Sequence, residues 1–324
     1  MRRRLLTNLA PYIISGLILF VLPLVLPSYV QSMFAKFLIF GIFAMSLGLL
    51  YGFVGLYSLG HAAFFGAGGY TTGILACHYG IENLWVATPI VVLVTLLISA
   101  IFGFIALRAS GVYFLLLTLA LGQLIFTVAW KWVTMTGGDN GLSGIPRPEL
   151  GFPWPAWDPA YYYYFVLVFF LACFFLLRQI VNSSFGYTLR GIRLNENRMR
   201  HLGYPVWGYK YIAFIIAGLF AGISGMLFAY FNGIVVPSHA GITTSVLVFL
   251  MVVIGGPGTL FGPVIGAGVI VFLQFFISLY TPEHWPLVLG CVFVAAVMYA
   301  RGGLSTWLLE LQKRMKRRYG NIES

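Results

Sequence analysis

The side chains that could carry covalent or metal chemistry are few and far apart in this sequence. Five histidines are scattered over different segments, and the three cysteines lie in or beside apolar stretches without metal-ligand spacing. No HExxH, CxxC or GxSxG pattern occurs, and no glycine-rich phosphate loop is followed by Lys and Ser or Thr. The sequence therefore predicts no enzyme activity, no metal site, no cofactor and no ATP binding by this chain.

One titratable side chain, His61, lies deep inside a predicted span, in the segment GLYSLGHAAFFGAGGY at 55–70. A neutral imidazole among apolar helices needs a hydrogen-bond partner, and Ser58 is placed one helical turn away. Two interpretations remain open. Either His61 is a packing histidine, or it belongs to the polar lining of a translocation path with Ser58 and, at the outer mouth of a later span, Thr243 and Thr244.

Two glycine-rich stretches predict unusual packing. In the first, small residues recur at spacings of three and four, which lets a neighbouring helix approach closely; they are Gly55, Ser58, Ala62, Gly66 and Gly69. The second, GGPGTLFGPVIGAG at 255–268, contains Pro257 and Pro263, which are expected to break or kink a helix. Broken helices at membrane depth line a cavity or are buried in protein, so this stretch lines a pathway or packs densely.

Long apolar runs dominate the rest of the 324 residues, of which 60% are hydrophobic and only 8% charged. A bilayer core takes about 20 apolar residues per helix. The runs predict an all-α polytopic membrane protein with one transmembrane domain over 1–324 and about ten spans, or eight or nine spans plus a re-entrant piece. A β-barrel would need alternating strands instead. The predicted spans are 11–30, 33–51, 56–77, 84–107, 112–133, 161–180, 210–231, 243–256, 261–280 and 285–300.

The net charge of +11 follows membrane topology. If the N-terminus is cytoplasmic and the chain crosses ten times, only Lys36, Lys131 and Arg147 of the 19 basic residues lie outside. This pattern predicts cytoplasmic termini, including a basic tail at 301–324, and contact with membrane lipid, whereas nucleic acid is not an expected partner. Because no cleavage site follows the opening arginines, the first apolar run is predicted to be an uncleaved span.

The predicted outer loop at 134–160 contains GGDNGLSGIPRPELGFPWPAWDP. Its density of glycine and proline is expected to forbid regular structure. Its tryptophans and acidic residues suit a surface that faces a partner, and a rigid, turn-rich cap over the bundle is the alternative. The candidate docking residues are Asp139, Asn140, Arg147 and Glu149.

The predicted cytoplasmic loop at 182–210 holds a short amphipathic helix. On a helical wheel one quarter of the circumference carries an apolar stripe of Leu189, Ile192, Met199 and Leu202. Arg193 and Arg200 flank the stripe, and the helix is predicted to end at Gly203 with Pro205 beyond it. A solvated basic loop and a helix on the membrane surface are alternatives, but the narrow stripe favours docking into a groove on a cytoplasmic partner.

Three stretches, in order and spacing, resemble a known family of permeases. They are the segment at 55–70, TGGDNGLSGIPRP at 136–148, and the region from SSFGYTLRGIRLNEN at 183–197 through YKYIAF to MVVIGGPGTLFGPVIGA at 251–267. Together they resemble LivM-type permease subunits of the ABC importers for branched-chain amino acids. The chain departs from the commonest form at Arg198 and Met199, where many members carry paired alanines.

The resemblance implies an importer in a bacterial or archaeal inner membrane. Its expected partners are a homologous LivH-type permease, two ATP-binding cassette subunits that hydrolyse ATP, and an external solute-binding protein. The span count also resembles the architecture of the vitamin B12-importer permease, which is an analogy of fold alone. The expected coupling residues are Leu189, Arg190, Ile192, Arg193, Glu196, Met199, Leu202 and Gly203. A channel or uniporter for a small neutral solute is the alternative function.

Overall fold

The computed structural model describes residues 26–150 and 158–280, together with Pro23 and six scattered positions between 287 and 298. The described chain is almost entirely helical. Its helices are α1 Ser28–Gly48, α2 Ala62–Tyr79, α3 Leu84–Ala106, α4 Val112–Lys131, α5 Val133–Thr136, α6 Pro159–Val181, α7 Ser184–Leu194, α8 Glu196–His201, α9 Val206–Asn232, α10 Ile242–Gly255 and α11 Phe261–Tyr280.

The predicted all-α polytopic architecture is confirmed. Six helices of the described ranges are long and apolar enough to cross a bilayer: α1 with its continuation to Val54, α3, α4, α6, α9 and the 261–278 part of α11. α10 is shorter, and α2 begins only at Ala62, so the predicted span 56–77 is helical over its second part alone. The predicted span 285–300, the tail 301–324 and all of the predicted span 11–30 before residue 26 lie outside the continuously described residues; α1 begins at Ser28, within the last part of that first span.

Helix ends follow local sequence chemistry. The Asn83 side chain accepts a hydrogen bond from the backbone N–H of Trp85 at the start of α3. Asp158 does the same for Ala160 at the start of α6, with Pro159 in the first turn, where its missing N–H is tolerated. Gly80 and Gly233 end α2 and α9 in the left-handed region, with φ of 63° and 68°.

The two ends of the bundle are distinguished by their loops. We call the end that carries α7 and α8 the basic end, and the opposite end, which carries residues 132–150, the glycine-loop end. At the glycine-loop end a two-residue strand β1, Leu142–Ser143, pairs antiparallel with β2, Ile234–Val235, and residues 138–140 form a 3-10 turn. The expectation of no regular structure in this loop was therefore wrong locally, because the strand ladder and the turn satisfy backbone groups that glycine and proline leave exposed.

Close backbone contact between α2 and α9 holds the centre of the bundle. A Cβ atom on Gly68 would overlap the carbonyl oxygen of Gly222, and one on Gly225 would overlap that of Phe65. Gly66 lies against the methyl group of Ala240, in the 3-10 turn at 237–240 that follows α9. The predicted close approach at the first glycine-rich stretch is confirmed, since these helices meet with no side chain between them.

The second glycine-rich stretch packs densely within the chain. A Cβ atom on Gly255 would overlap the carbonyl oxygen of Gly262, and one on Gly266 would overlap that of Met251. α10 ends at Gly255 and a short loop containing Pro257 follows, as expected from a helix breaker. Pro263 lies in the first turn of α11 and does not interrupt it, because an N-terminal proline loses no helical hydrogen bond there.

We predict that Gly68→Ala destabilises the protein by about 1–3 kcal/mol, because the added methyl group collides with the α9 backbone. Gly208→Ala is the matched control, since a Cβ atom there meets nothing within 4 Å and both glycines are helical. Thermal unfolding in detergent measures the difference. Equal midpoints for the two variants would contradict the close contact between α2 and α9.

Candidate translocation and coupling sites

His61 is fully buried at the point where α2 begins. Its Nε2 atom lies 2.8 Å from the hydroxyl oxygen of Ser46 in α1, and that hydroxyl donates to the carbonyl oxygen of Phe43 at 2.6 Å. With the hydroxyl hydrogen of Ser46 directed at Phe43, Nε2 of His61 is assigned as the donor and its Nδ1 atom as the carrier of the lone pair. The imidazole also stacks on the ring of Phe43, with centroids 5.7 Å apart.

The predicted hydrogen bond between His61 and Ser58 is not formed. Ser58 is buried, and within the described residues neither its hydroxyl nor Nδ1 of His61 has a partner. The prediction was wrong because residues 55–60 are not helical, so Ser58 does not lie one turn from His61. The one sequence signal for Ser46 as the partner of His61 is that it places a hydroxyl group within an apolar helix.

Residues 55–60 run from the basic end back into the bundle. Gly55, with φ of 82°, lies against Arg193 at the basic end, whereas His61 reaches the depth of Ser46. There the backbone N–H of Ala62 donates to the hydroxyl of Ser245 in the first turn of α10, at 3.1 Å. We call Ser46, Ser58, His61, Ala62 and Ser245 the central junction, because two helix starts meet at these residues.

Thr243 and Thr244 lie beside the central junction but do not hydrogen-bond with it. Thr243 is exposed, and the hydroxyl of Thr244 donates to the carbonyl oxygen of Ser238 at 2.9 Å. The residue of this turn that does reach the junction is Ser245, which the sequence analysis did not single out. The structure therefore brings His61 and Ser58 to one buried place and leaves Thr243 on an open face of α10.

α4 covers the central junction and presents polar groups on its other face. Its buried side contacts residues 55–60, where the hydroxyl of Thr118 accepts a hydrogen bond from the backbone N–H of Leu59 at 3.3 Å. On the opposite side Gln123 and Thr127 lie on the open face of this helix, where the hydroxyl of Thr127 donates to the carbonyl oxygen of Gln123 at 2.8 Å. Polar side chains on the open face of an apolar span are disfavoured against lipid, so this face is a candidate for contact with protein or a water-filled path.

The basic loop contains two helices where one was predicted. α7 ends at Leu194, Asn195 takes an extended conformation, and its side chain accepts a hydrogen bond from Arg198 N–H to start α8. The wheel that joined both halves into one stripe therefore does not apply across Asn195. Gly203, with φ of 85°, follows α8, and Pro205 precedes α9.

The apolar stripe is divided between the protein interior and the surface. Leu189 and Ile192 are buried in the chain's own bundle, with 0% and 2% exposure. Their predicted insertion into a partner's groove needs correction, because α7 turns this face inward. Leu202 is 65% exposed. Leu194, which is not part of the predicted stripe, is 86% exposed. Met199 is half-buried and packs against Gly191.

Arginine side chains fasten α7 to the end of α1. Residues Leu49–Val54 continue α1 as a wider π-helical turn. Arg193 donates a hydrogen bond to the carbonyl oxygen of Gly52 in this turn, and the guanidinium of Arg190 lies 5.1 Å from the ring centroid of Phe53. Both contacts bind the loop to α1, so a displacement of α7 acts directly on the π-helical turn.

Glu196 holds α8 against α9. Its carboxylate oxygens lie 2.6 Å from Arg200 and 2.5 Å from Lys210. Burial raises the pKa of Glu196, but the hydrogen bonds and charges of Lys210 and Arg200 outweigh burial and lower its pKa overall. The carboxylate is therefore charged at neutral pH and restrains the loop from within.

At the glycine-loop end three of the four predicted docking residues are exposed, namely Asp139, Asn140 and Glu149. Arg147 is half-buried, and its guanidinium lies 4.4 Å from the ring centroid of Tyr162 in α6. The backbone N–H of Glu149 donates to the carbonyl oxygen of Glu82 at 2.9 Å. The loop is thus tied down as a cap and still offers polar side chains on its surface.

The residues of the central junction and of α7 lie within a stretch that matches a known family. The family described as branched-chain amino acid transport system, permease component, matches residues 29–299. The chain belongs to this family. The resemblance seen at 55–70, 136–148 and 183–267 is confirmed.

Curated relatives carry the same description. The chain is 28% identical over 289 residues to the high-affinity branched-chain amino acid transport system permease protein LivM of Salmonella typhimurium, and this match covers 82% of the chain and 68% of the relative. It is 27% identical to LivM of Escherichia coli over the same shares. A probable LivM of Methanocaldococcus jannaschii is 22% identical over 74% of the chain and 78% of its own length. No solved structure matches significantly.

We predict that Ser46→Ala destabilises the protein by about 1–3 kcal/mol, because it leaves the buried Nε2–H of His61 without an acceptor. Ser58→Ala is the matched control, since its buried hydroxyl has no partner to lose among the described residues and its removal is expected to be neutral or stabilising. Thermal unfolding of the two purified variants makes the comparison. A larger loss for Ser58→Ala would refute the assigned partner of His61.

Proposed function

We propose that this chain is the transmembrane permease subunit of an ATP-driven importer for branched-chain amino acids or related small solutes. The family match over residues 29–299 carries the proposal. The helical spans supply the membrane domain, and ATP hydrolysis takes place in two separate ATP-binding subunits. A homologous permease completes the path, and an external binding protein delivers the solute.

The basic end faces the cytoplasm in this proposal. The distribution of lysine and arginine supports this orientation, because positive residues favour the cytoplasmic side of a membrane. Both termini are then cytoplasmic, and the glycine-loop end faces outward. Asp139, Asn140 and Glu149 form the docking edge for the binding protein, while Arg147 holds the loop against α6.

The ATP-binding subunits contact the surface of α7 and α8. Leu194 and Leu202 supply the apolar anchors, since they are the strongly exposed leucines of this loop. Leu189 and Ile192 form the buried layer beneath these anchors. Arg193 transmits a displacement of α7 to α1 through its hydrogen bond to the carbonyl oxygen of Gly52. From there α1 leads to Ser46 and His61, so the coupling loop and the central junction share one helix.

The translocation path runs along the open face of α4. Gln123 and Thr127 line it, and the homologous permease faces them from the other side. Thr243, exposed at the start of α10, lies beside the path at the depth of the central junction, with Thr244 behind it. His61 and Ser58 support this wall from the buried side through Leu59 and Thr118.

Reconstitution tests the function. The purified chain alone in liposomes is expected to carry no leucine, whereas the complete set of permeases, ATP-binding subunits and binding protein accumulates leucine only with ATP. Uptake is measured with radiolabelled leucine, and liposomes with the ATP-binding subunits omitted are the control. Passive leucine flux through the chain alone would favour a channel or uniporter instead.

We predict that Leu194→Ser with Leu202→Ser releases the ATP-binding subunits while the permease stays folded, because both side chains are exposed and each interface anchor is worth about 1–2 kcal/mol. Leu189→Ala is the matched control. Its side chain is buried in this chain, so it lowers permease stability by about 2–5 kcal/mol. Co-purification and thermal unfolding separate the two effects. Normal co-purification of the double variant would exclude these anchors.

A further inference from the structure

Lys36 places a cation inside a membrane-spanning helix. It follows the start of α1 by eight residues, about 12 Å along the axis at 1.5 Å per residue. The side chain is half-buried, and its ammonium lies 6.0 Å from the ring centroid of Phe40. Over residues 26–150 and 158–280 this ammonium makes no ion pair. A charge at this depth is costly unless an anion or water compensates it.

Lys36 lines a groove of about 290 Å³ between α1, α9 and α11, in the half of the bundle nearer the glycine-loop end. Two further lining residues, Gln274 and Ser278, carry groups that can donate hydrogen bonds, whereas the hydroxyl of Ser32 donates to the carbonyl oxygen of Ser28 at 3.2 Å. None of the described residues that line the groove is acidic. Its remaining wall is apolar or aromatic and consists of Tyr29, Met33, Phe231, Val271 and Phe275.

The groove opens where helices meet the membrane surface. Tyr29 is 61% exposed at the first turn of α1 and lies 5.2 Å from the ring of Phe275, centroid to centroid. Ser278, near the end of α11, is exposed beside it. Tyrosine is enriched at the level of lipid headgroups, so this rim lies at the height of a headgroup and Lys36 extends beneath it.

We propose that this groove binds the phosphate headgroup of an anionic phospholipid. The phosphate supplies the counter-charge for Lys36 and accepts hydrogen bonds from Gln274 and Ser278. The apolar wall suits the glycerol backbone and the first methylenes of the acyl chains. A zwitterionic amino acid fits less well, because its ammonium group would lie near Lys36 with no carboxylate in the described lining. The proposal is independent of the transport function.

The test uses the purified full chain, stripped of lipid in detergent. Phosphatidylglycerol should raise the thermal midpoint by about 3 °C or more, and phosphatidylethanolamine should raise it less. Native mass spectrometry should show retained phosphatidylglycerol. Lys36→Met keeps the length of the side chain but is expected to lose both effects, whereas Lys36→Arg keeps them. Lys131→Met, which removes an exposed cation at the same end of the bundle, is the matched control and should behave as wild type.

A second variant tests the proposal if Lys36→Met does not fold. Gln274→Leu should weaken phosphatidylglycerol retention at least about threefold through loss of one charged-group hydrogen bond. Unchanged retention in the folded Lys36 or Gln274 variant would overturn the proposal. Equal stabilisation by inorganic phosphate would show a site for free anions instead of lipid. Glu283 lies at a position outside the described residues. If Glu283→Gln changed the stability of the lipid-free protein as much as Lys36→Met does, while retention of phosphatidylglycerol stayed normal, an acidic side chain would be the partner of Lys36 and the proposal would fail.

Discussion

Backbone groups that leave helical geometry inside a membrane must find partners within the protein, because lipid offers none. The rest of the bundle depends on this constraint. Residues 55–60 return into the bundle outside regular helix, and at their end the N–H of Ala62 is satisfied by the hydroxyl of Ser245. Such interior backbone needs space. The side-chain-free contacts of Gly68 and Gly225 between α2 and α9 leave room for it beside α4.

Close packing also explains how the loop at the basic end is attached. The loop between α6 and α9 is packed into the bundle, because Leu189 is buried in its core and Arg193 donates a hydrogen bond to the backbone of α1's continuation. Its inner layer belongs to the bundle, and only residues such as Leu194 remain for a partner. In the proposed importer, a subunit that binds the outer layer would therefore press on residues that are packed into the bundle.

The spans and their ends were largely predictable, because apolar runs, caps and glycines act locally in sequence. The helix starts at Leu84 and Pro159 follow from Asn83 and Asp158, which cap them. The partner of His61 was not predictable, since Ser46 lies on another helix and nothing in its spacing marks it. The inward face of α7 was missed for a related reason. A helical wheel reports which residues share a face but not whether that face meets the protein or a partner.

The hydrogen bond between Ala62 and Ser245 joins residues 183 positions apart, and the one from Ser224 to the carbonyl oxygen of Ile39 spans 185. A ribosome makes the chain from its N-terminus, so α2 exists long before α10. Until Ser245 has been synthesised, the N–H of Ala62 lacks the partner that it has in the folded bundle. The elements before Ser224 and Ser245 therefore reach their final hydrogen bonding only after these two residues have been synthesised.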